Sequence, residues 1–255
     1  MTRFVYMGLM LLCALALSAP MSLAQEGEAG KPTETPKEQP REDGHDRPTP
    51  YPRIRFKRDR IEKVDTPEGG QKDVTSRAYL IDISEAMTAT ETLDDGTVTT
   101  RLDIAKQKLK QALDELSKRR DTVFNIASFG NVSDFADSKQ PLTVSVEVID
   151  KAKKWVEERQ AAGKSDLYNL LKALFEQEPS SAQMLVGSDP TTPDGVDAKQ
   201  IEAAGGLQEF LLAAVKEWRT KKKTRLDIVG ISLNDSQREF YKKLALAAGG
   251  SYING

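Results

Sequence analysis

Asp82, Ser84 and Glu85 follow directly on the apolar run Ala78 to Ile81 in the stretch AYLIDISEAM. Ser165 and Asp166 lie together in AAGKSDL, and Asp189 and Asp194 share GSDPTTPDG. All are hard oxygen donors, with no imidazole or thiolate among them. Such a set suits Mg²⁺, Mn²⁺ or Ca²⁺ held by carboxylate, hydroxyl and water, rather than zinc or copper. Each residue also has an ordinary structural use. Asp82 can accept N–H bonds from its own turn, Ser165 can cap a helix, Asp166 can complement a helix dipole, and Asp189 before Pro190 fits a turn.

Other chemistries lack their residues. Cys13 is the only cysteine and His45 the only histidine, and both precede residue 77. Residues 77–255 therefore hold no disulfide, thiolate zinc site, cysteine nucleophile or histidine base. GKS at Gly163 to Ser165 is part of a phosphate-loop pattern, but Glu158 stands where its first glycine belongs and the preceding residues read as helix rather than strand. A phosphatase with Asp82 as nucleophile would place a second aspartate two residues on, where Ser84 stands. The expectation is a binding protein, not an enzyme; a metal-assisted hydrolase would need turnover without an evident acid or base.

The elements that must position these residues alternate in type. Strands are expected over 78–83, 122–129, 182–187, 225–232 and 251–253, and helices over 101–118, 146–161, from about 166 onward, 207–219 and about 236–248. The first helix carries Leu102, Ala105, Leu109, Ala112, Leu113 and Leu116 on one stripe. Trp155 and Trp218 fall on the apolar faces of theirs, as anchors of a core or interface. Short β runs alternating with amphipathic helices imply an α/β fold: a doubly wound, mostly parallel sheet with helices on both faces. In such a sheet, loops at the carboxyl ends of the strands form the ligand crevice. Asp82, Ser165 and Asp189 all fall in loops of that kind.

The remainder of the chain reads differently. Residues 1–24 have the form of a secretory signal, with Arg3, an apolar stretch from Phe4 to about Leu17, and Ser22-Leu23-Ala24 at the cleavage position. Pro20 and the small residues around it argue against a membrane anchor. Residues 25–76 hold seven of the twelve prolines and few large apolar residues, the composition of an extended, disordered tether. Within it, 53–64 alternates apolar and basic residues, as an edge strand could. Removal of 1–24 takes away Arg3 alone among the charges, leaving 36 Lys and Arg against 39 Asp and Glu, a balance of −3. That near-neutral mixture suggests neither nucleic acid nor an anionic membrane as partner.

In order and spacing, YLIDISEAM, TRLDIAKQKLKQAL, TVFNIASFG, AAGKSDLYNLLKAL, MLVGSDPT and LAAGGSYI resemble a von Willebrand factor type A domain over residues 77–255. The resemblance implies a doubly wound sheet with a metal-ion-dependent adhesion site built from Asp-x-Ser-x-Ser, a threonine and an aspartate. The metal's open position then accepts an acidic side chain of a partner protein. Asp82 and Ser84 match the first two positions, Ala86 stands in place of the second serine, and Ser165 replaces the threonine. Asp189 takes the third-loop position, followed by Pro190 rather than glycine, with Asp194 as a second candidate. The implied protein is an exported bacterial one, periplasmic, surface-held or secreted, whose degenerate site holds Mg²⁺, Mn²⁺ or Ca²⁺ on Asp82, Ser84, Ser165 and Asp189. Its alternative is a metal-free scaffolding domain that kept the fold and lost the site.

Overall fold

The computed structural model describes residue 55 and residues 64–65, 71–72, 75–137 and 140–255. The expected signal segment 1–24 lies outside the described residues, as does most of the expected tether. Within the tether, β1 (Val64–Asp65) pairs antiparallel with β2 (Gln71–Lys72). The Arg55 carbonyl accepts a hydrogen bond from Asn125 Nδ2 at 2.9 Å.

β3 (Thr75–Asp82) begins two residues before the expected domain start. A 3₁₀ turn (Glu85–Thr88) and a hairpin of β4 (Thr90–Thr92) and β5 (Val98–Thr100) lead into α1 (Arg101–Leu116). There follow β6 (Thr122–Phe129), the short β7 (Ser133–Asp134) and β8 (Leu142–Thr143), α2 (Val146–Glu157) and α3 (Leu167–Gln177). The chain closes with β9 (Ser181–Val186), α4 (Ala198–Ala203), α5 (Leu207–Lys221), β10 (Arg225–Gly230), α6 (Asp235–Ala247) and β11 (Tyr252–Asn254).

The main sheet runs β11-β10-β9-β3-β6-β7, with β8 also on β6. Every pair from β11 to β6 is parallel, and β7 and β8 add antiparallel pieces. The chain passes from β3 to β6 on one side, then returns to β9 on the other. Strand order therefore reverses beside β3, which sets the carboxyl ends of β3 and β9 next to each other as the crevice of the fold.

β6 is buried along its whole length, the state that a central parallel strand demands. Side-chain alternation divides the core in two. Ala78, Leu80, Ala127, Phe129 and Met184 pack with α3, α5 and α6. Tyr79, Ile81, Phe124, Ile126 and Leu185 pack with α1 and α2. The helices start where capping side chains stand. Thr100 accepts from the Asp103 amide, Ser145 from the Val148 amide, and Asn234 forms a reciprocal capping box with Gln237. α6 stops at Gly249, whose φ of +70° is the left-handed conformation that glycine adopts without penalty. Among the described residues no helix is long and apolar enough to cross a membrane.

Candidate functional site

Asp82 is the last residue of β3 and is wholly buried. Its carboxylate turns back on its own loop, Oδ1 accepting the Ser84 amide at 2.9 Å. Oδ2 accepts the Ser188 hydroxyl at 2.5 Å and the Gly187 amide at 3.3 Å. The Ser84 hydroxyl, which makes no capping bond to the turn that follows, donates to Ser188 Oγ at 3.3 Å. A hydroxyl relay, Ser84 to Ser188 to Asp82, thus joins the first and third loops. The fully buried Tyr241 anchors its middle, donating to the Ser188 carbonyl at 2.8 Å. Burial pushes the Asp82 pKa above the ordinary carboxylate value, against the pull of the Ser188, Ser84 and Gly187 donors. The Tyr241 phenol is raised well above its ordinary value by burial, with the nearby Asp82 and Asp189 adding to it.

The middle loop, between α2 and α3, is laced to both others through backbone. The Ala162 amide donates to the Ile83 carbonyl at 2.7 Å, the Glu85 amide to Gly163 at 3.1 Å and the Thr191 amide to Ser165 at 2.8 Å. Two glycines permit the approach. A Cβ on Gly130 would lie 2.6 Å from the Ser84 nitrogen, and one on Gly163 would lie 2.4 Å from the Gly130 oxygen. The N-cap of α3 is Asp166, whose carboxylate accepts the Asn169 amide at 3.2 Å and its side-chain amide at 2.7 Å. Ser165 is thereby free of that duty. Its hydroxyl, and that of Thr191, are buried with no hydrogen-bond partner.

These loops border an open cavity of about 270 Å³ lined by Ser84, Ala86, Ser165, Ser188, Asp189 and Thr191, with Arg101 and Lys164 also on its wall. The structure therefore brings together Ser84, Ser165 and Asp189, with Asp82 directly beneath them. Asp189 is solvent-exposed, its Oδ2 accepting Gln237 Nε2 at 2.9 Å. Asp194 does not reach the cavity; its carbonyl accepts from Asn169 on α3 at 3.2 Å. Glu85 is exposed, as expected for a solvated residue. Ser188 and Thr191 are the members that sequence reading missed. The only signal for them is position, one residue before and two after Asp189.

Arg101 spans the cavity wall, its Nε bonded to Glu91 at 2.7 Å and a terminal nitrogen to the Gly187 carbonyl at 2.9 Å. Among the described residues no three His, Cys, Asp or Glu side chains group as a metal cluster. A cation here would lean on hydroxyls, one buried carboxylate and water. The orphaned Ser165 hydroxyl beside the Ser84–Ser188 pair fits a hard, partly hydrated cation, and magnesium ordinarily keeps several waters.

No protein-family model matches the chain, and no curated protein does. Among solved structures it is similar to a D319A mutant of the PilB minor pilin from Streptococcus sanguinis, at 11% identity and a TM-score of 0.51. That match covers 70% of this chain and 56% of the pilin, so the chain spans little more than half of the pilin's length. Matches to the SpRpn10 VWA domain (15% identity, TM-score 0.46, 70% of this chain and 86% of that one) are of lower score. So is that to a von Willebrand factor type A structure from Catenulispora acidiphila (16% identity, TM-score 0.48, 71% and 40%). The pilin likeness is one of fold: an α/β domain with a central, mostly parallel sheet flanked by helices.

Proposed function

We propose that the folded region is a protein-interaction domain of von Willebrand factor type A kind, whose crevice loops take a divalent cation and through it an acidic side chain of a partner protein. One observation carries this reading. The Ser165 hydroxyl is buried without a partner and lines the same cavity as Ser84 and Ser188, whose hydroxyls run to the Asp82 carboxylate. An unsatisfied buried hydroxyl costs about 1–3 kcal/mol, a cost that a bound ligand removes. Asp82, Ser84, Ser165 and Asp189 would hold the cation directly or through water, with Ser188 fixing Asp82. A bound cation would supply the electrophilic point to which a carboxylate attaches. The chain's own residues orient the oxygens.

The reading includes no catalytic role, since residues 77–255 contain no histidine or cysteine. It also includes export of the protein on the strength of residues 1–24. A second reading, a metal-free scaffold, is favoured by Ala86 in the second serine position and by the Arg101 and Lys164 cations on the cavity wall.

Isothermal titration of the full chain with Mg²⁺, Mn²⁺ and Ca²⁺, alongside Asp82→Ala, separates the two. The metal reading expects saturable binding in the millimolar range or tighter that vanishes in the variant. No heat from a wild-type chain shown to be folded by circular dichroism overturns it in favour of the scaffold.

A further inference from the structure

The parallel sheet carries a second concavity at the opposite ends of its strands. Ser181 and Arg225 open β9 and β10, and Arg77 is the third residue of β3. Five residues of strand, about 17 Å, separate Arg77 from Asp82. The register aligns two rows across three strands: Arg225, Ser181 and Arg77 in one, Asp227, Gln183 and Tyr79 in the next. Alternation places all six on one face, the face on which Tyr79 joins the α1 and α2 core. Together they line a cavity of about 150 Å³.

Its charge is unbalanced. Arg77 is half-buried and has no carboxylate within salt-bridge distance among the described residues. Its guanidinium lies against the buried Tyr79 hydroxyl, and Arg119 adds a positive field there; both oppose the burial that raises the Tyr79 pKa. Arg225 donates to Asp227 Oδ2 at 2.8 Å. Asp227, the one carboxylate on the wall, is already engaged: its other oxygen accepts the Ser251 amide at 2.9 Å and hydroxyl at 2.8 Å. The wall therefore presents two guanidiniums, from strands that flank the Ser181 hydroxyl, against one carboxylate that is paired with Arg225, which leaves the Arg77 charge uncompensated there. A half-buried guanidinium set against a neutral hydroxyl loses hydration without gaining a counter-charge, which an anionic ligand would supply.

We propose that this concavity is an oxyanion site that takes a phosphate group between Arg77 and Arg225, over the Ser181 hydroxyl and the Gln183 amide. A carboxylate offers one edge of two oxygens, which a single arginine fork fills. Two guanidiniums approaching from the strands on either side of β9 suit a tetrahedral oxyanion, which offers an edge to each. The site is independent of the cation site at the other end of the sheet.

The test is titration of the full chain at pH 7 and low salt, in EDTA, with inorganic phosphate, O-phosphoserine and acetate. Phosphate or O-phosphoserine should bind saturably, the tighter of the two naming the source as free ion or phosphomonoester. Arg225→Gln, at an exposed position, and Arg77→Gln should each weaken binding about tenfold, the worth of one charge-assisted hydrogen-bond pair. No saturable binding of either phosphate, acetate bound as tightly, or affinity unaltered in Arg225→Gln would overturn the proposal.

Discussion

The Ser188 hydroxyl donates to Asp82 Oδ2 at 2.5 Å across 106 positions of sequence. It is the closest of the contacts that fix the buried carboxylate, and it ties the end of β3 to the end of β9 where the strand order reverses. Ser188→Ala leaves the fully buried Asp82 carboxylate short of one donor, and should lower stability by about 1–3 kcal/mol. Urea unfolding at pH 7 measures this. Ser188→Thr keeps the hydroxyl and should recover most of the loss; equal losses in the two variants would show that volume, not the bond, matters.

The same carboxylate sets a pH dependence. Burial raises the folded pKa of Asp82 above the unfolded value of about 4. Its contribution to stability is then fully present below the unfolded pKa and is lost as pH rises through the folded one. Asp82→Asn lacks that titration. The stability of wild type minus variant, taken from urea unfolding between pH 3 and 8 in EDTA, should decline as pH rises from about 4. A difference that grows over that range would mean that the Ser84, Gly187 and Ser188 donors outweigh burial.

Periodicity made the α/β fold legible, because α1 keeps an unbroken stripe from Leu102 to Leu116 and β6 is apolar enough to be central. The hairpin of β4 and β5, the short β7 and β8, and the six-residue α4 have too few residues to show a period. Tertiary demands moved other boundaries. The expected helix over 146–161 ends at Glu157, since Arg159 Nε caps the Trp155 carbonyl and the chain must then extend for Ala162 to reach Ile83. In the site, Asp82, Ser84, Ser165 and Asp189 were legible from their positions after strands or helices. Ser188 was not, because its role comes only from the adjacency of β3 and β9. Asp166, whose place in the first turn suggests a dipole partner, caps α3 outright, which is what leaves Ser165 free.

Backbone approach at the crevice rests on Gly130 and Gly163, with φ of +114° and +75°. Gly163→Ala adds a methyl against the Gly130 carbonyl and a strained backbone, and should cost about 2–4 kcal/mol. Gly96→Ala is the control: its φ is +83° but a Cβ meets nothing within 4 Å, so only the backbone cost of about 1 kcal/mol should appear. Thermal or urea unfolding of the pair reads the difference. Similar losses in both would show that the loops part without difficulty.

Ala86 gives the most direct handle on the cation reading. It is exposed, it lines the cavity beside Ser84 and Ser165, and it lies second in the 3₁₀ turn, where its carbonyl accepts the Ala89 amide. A serine there adds one oxygen to the wall without displacing a packed side chain. Ala86→Ser should therefore leave cation-free stability within about 0.5 kcal/mol of wild type, as surface changes usually do. Mg²⁺ affinity should rise about tenfold, the effect of one further oxygen ligand worth about 1.4 kcal/mol. Titration of the two proteins side by side checks both expectations. If Mg²⁺ binds the wild type and the variant equally, position 86 is outside the cation's shell; if Ala86→Ser alone binds, the missing hydroxyl is what keeps the natural site from acting without its partner.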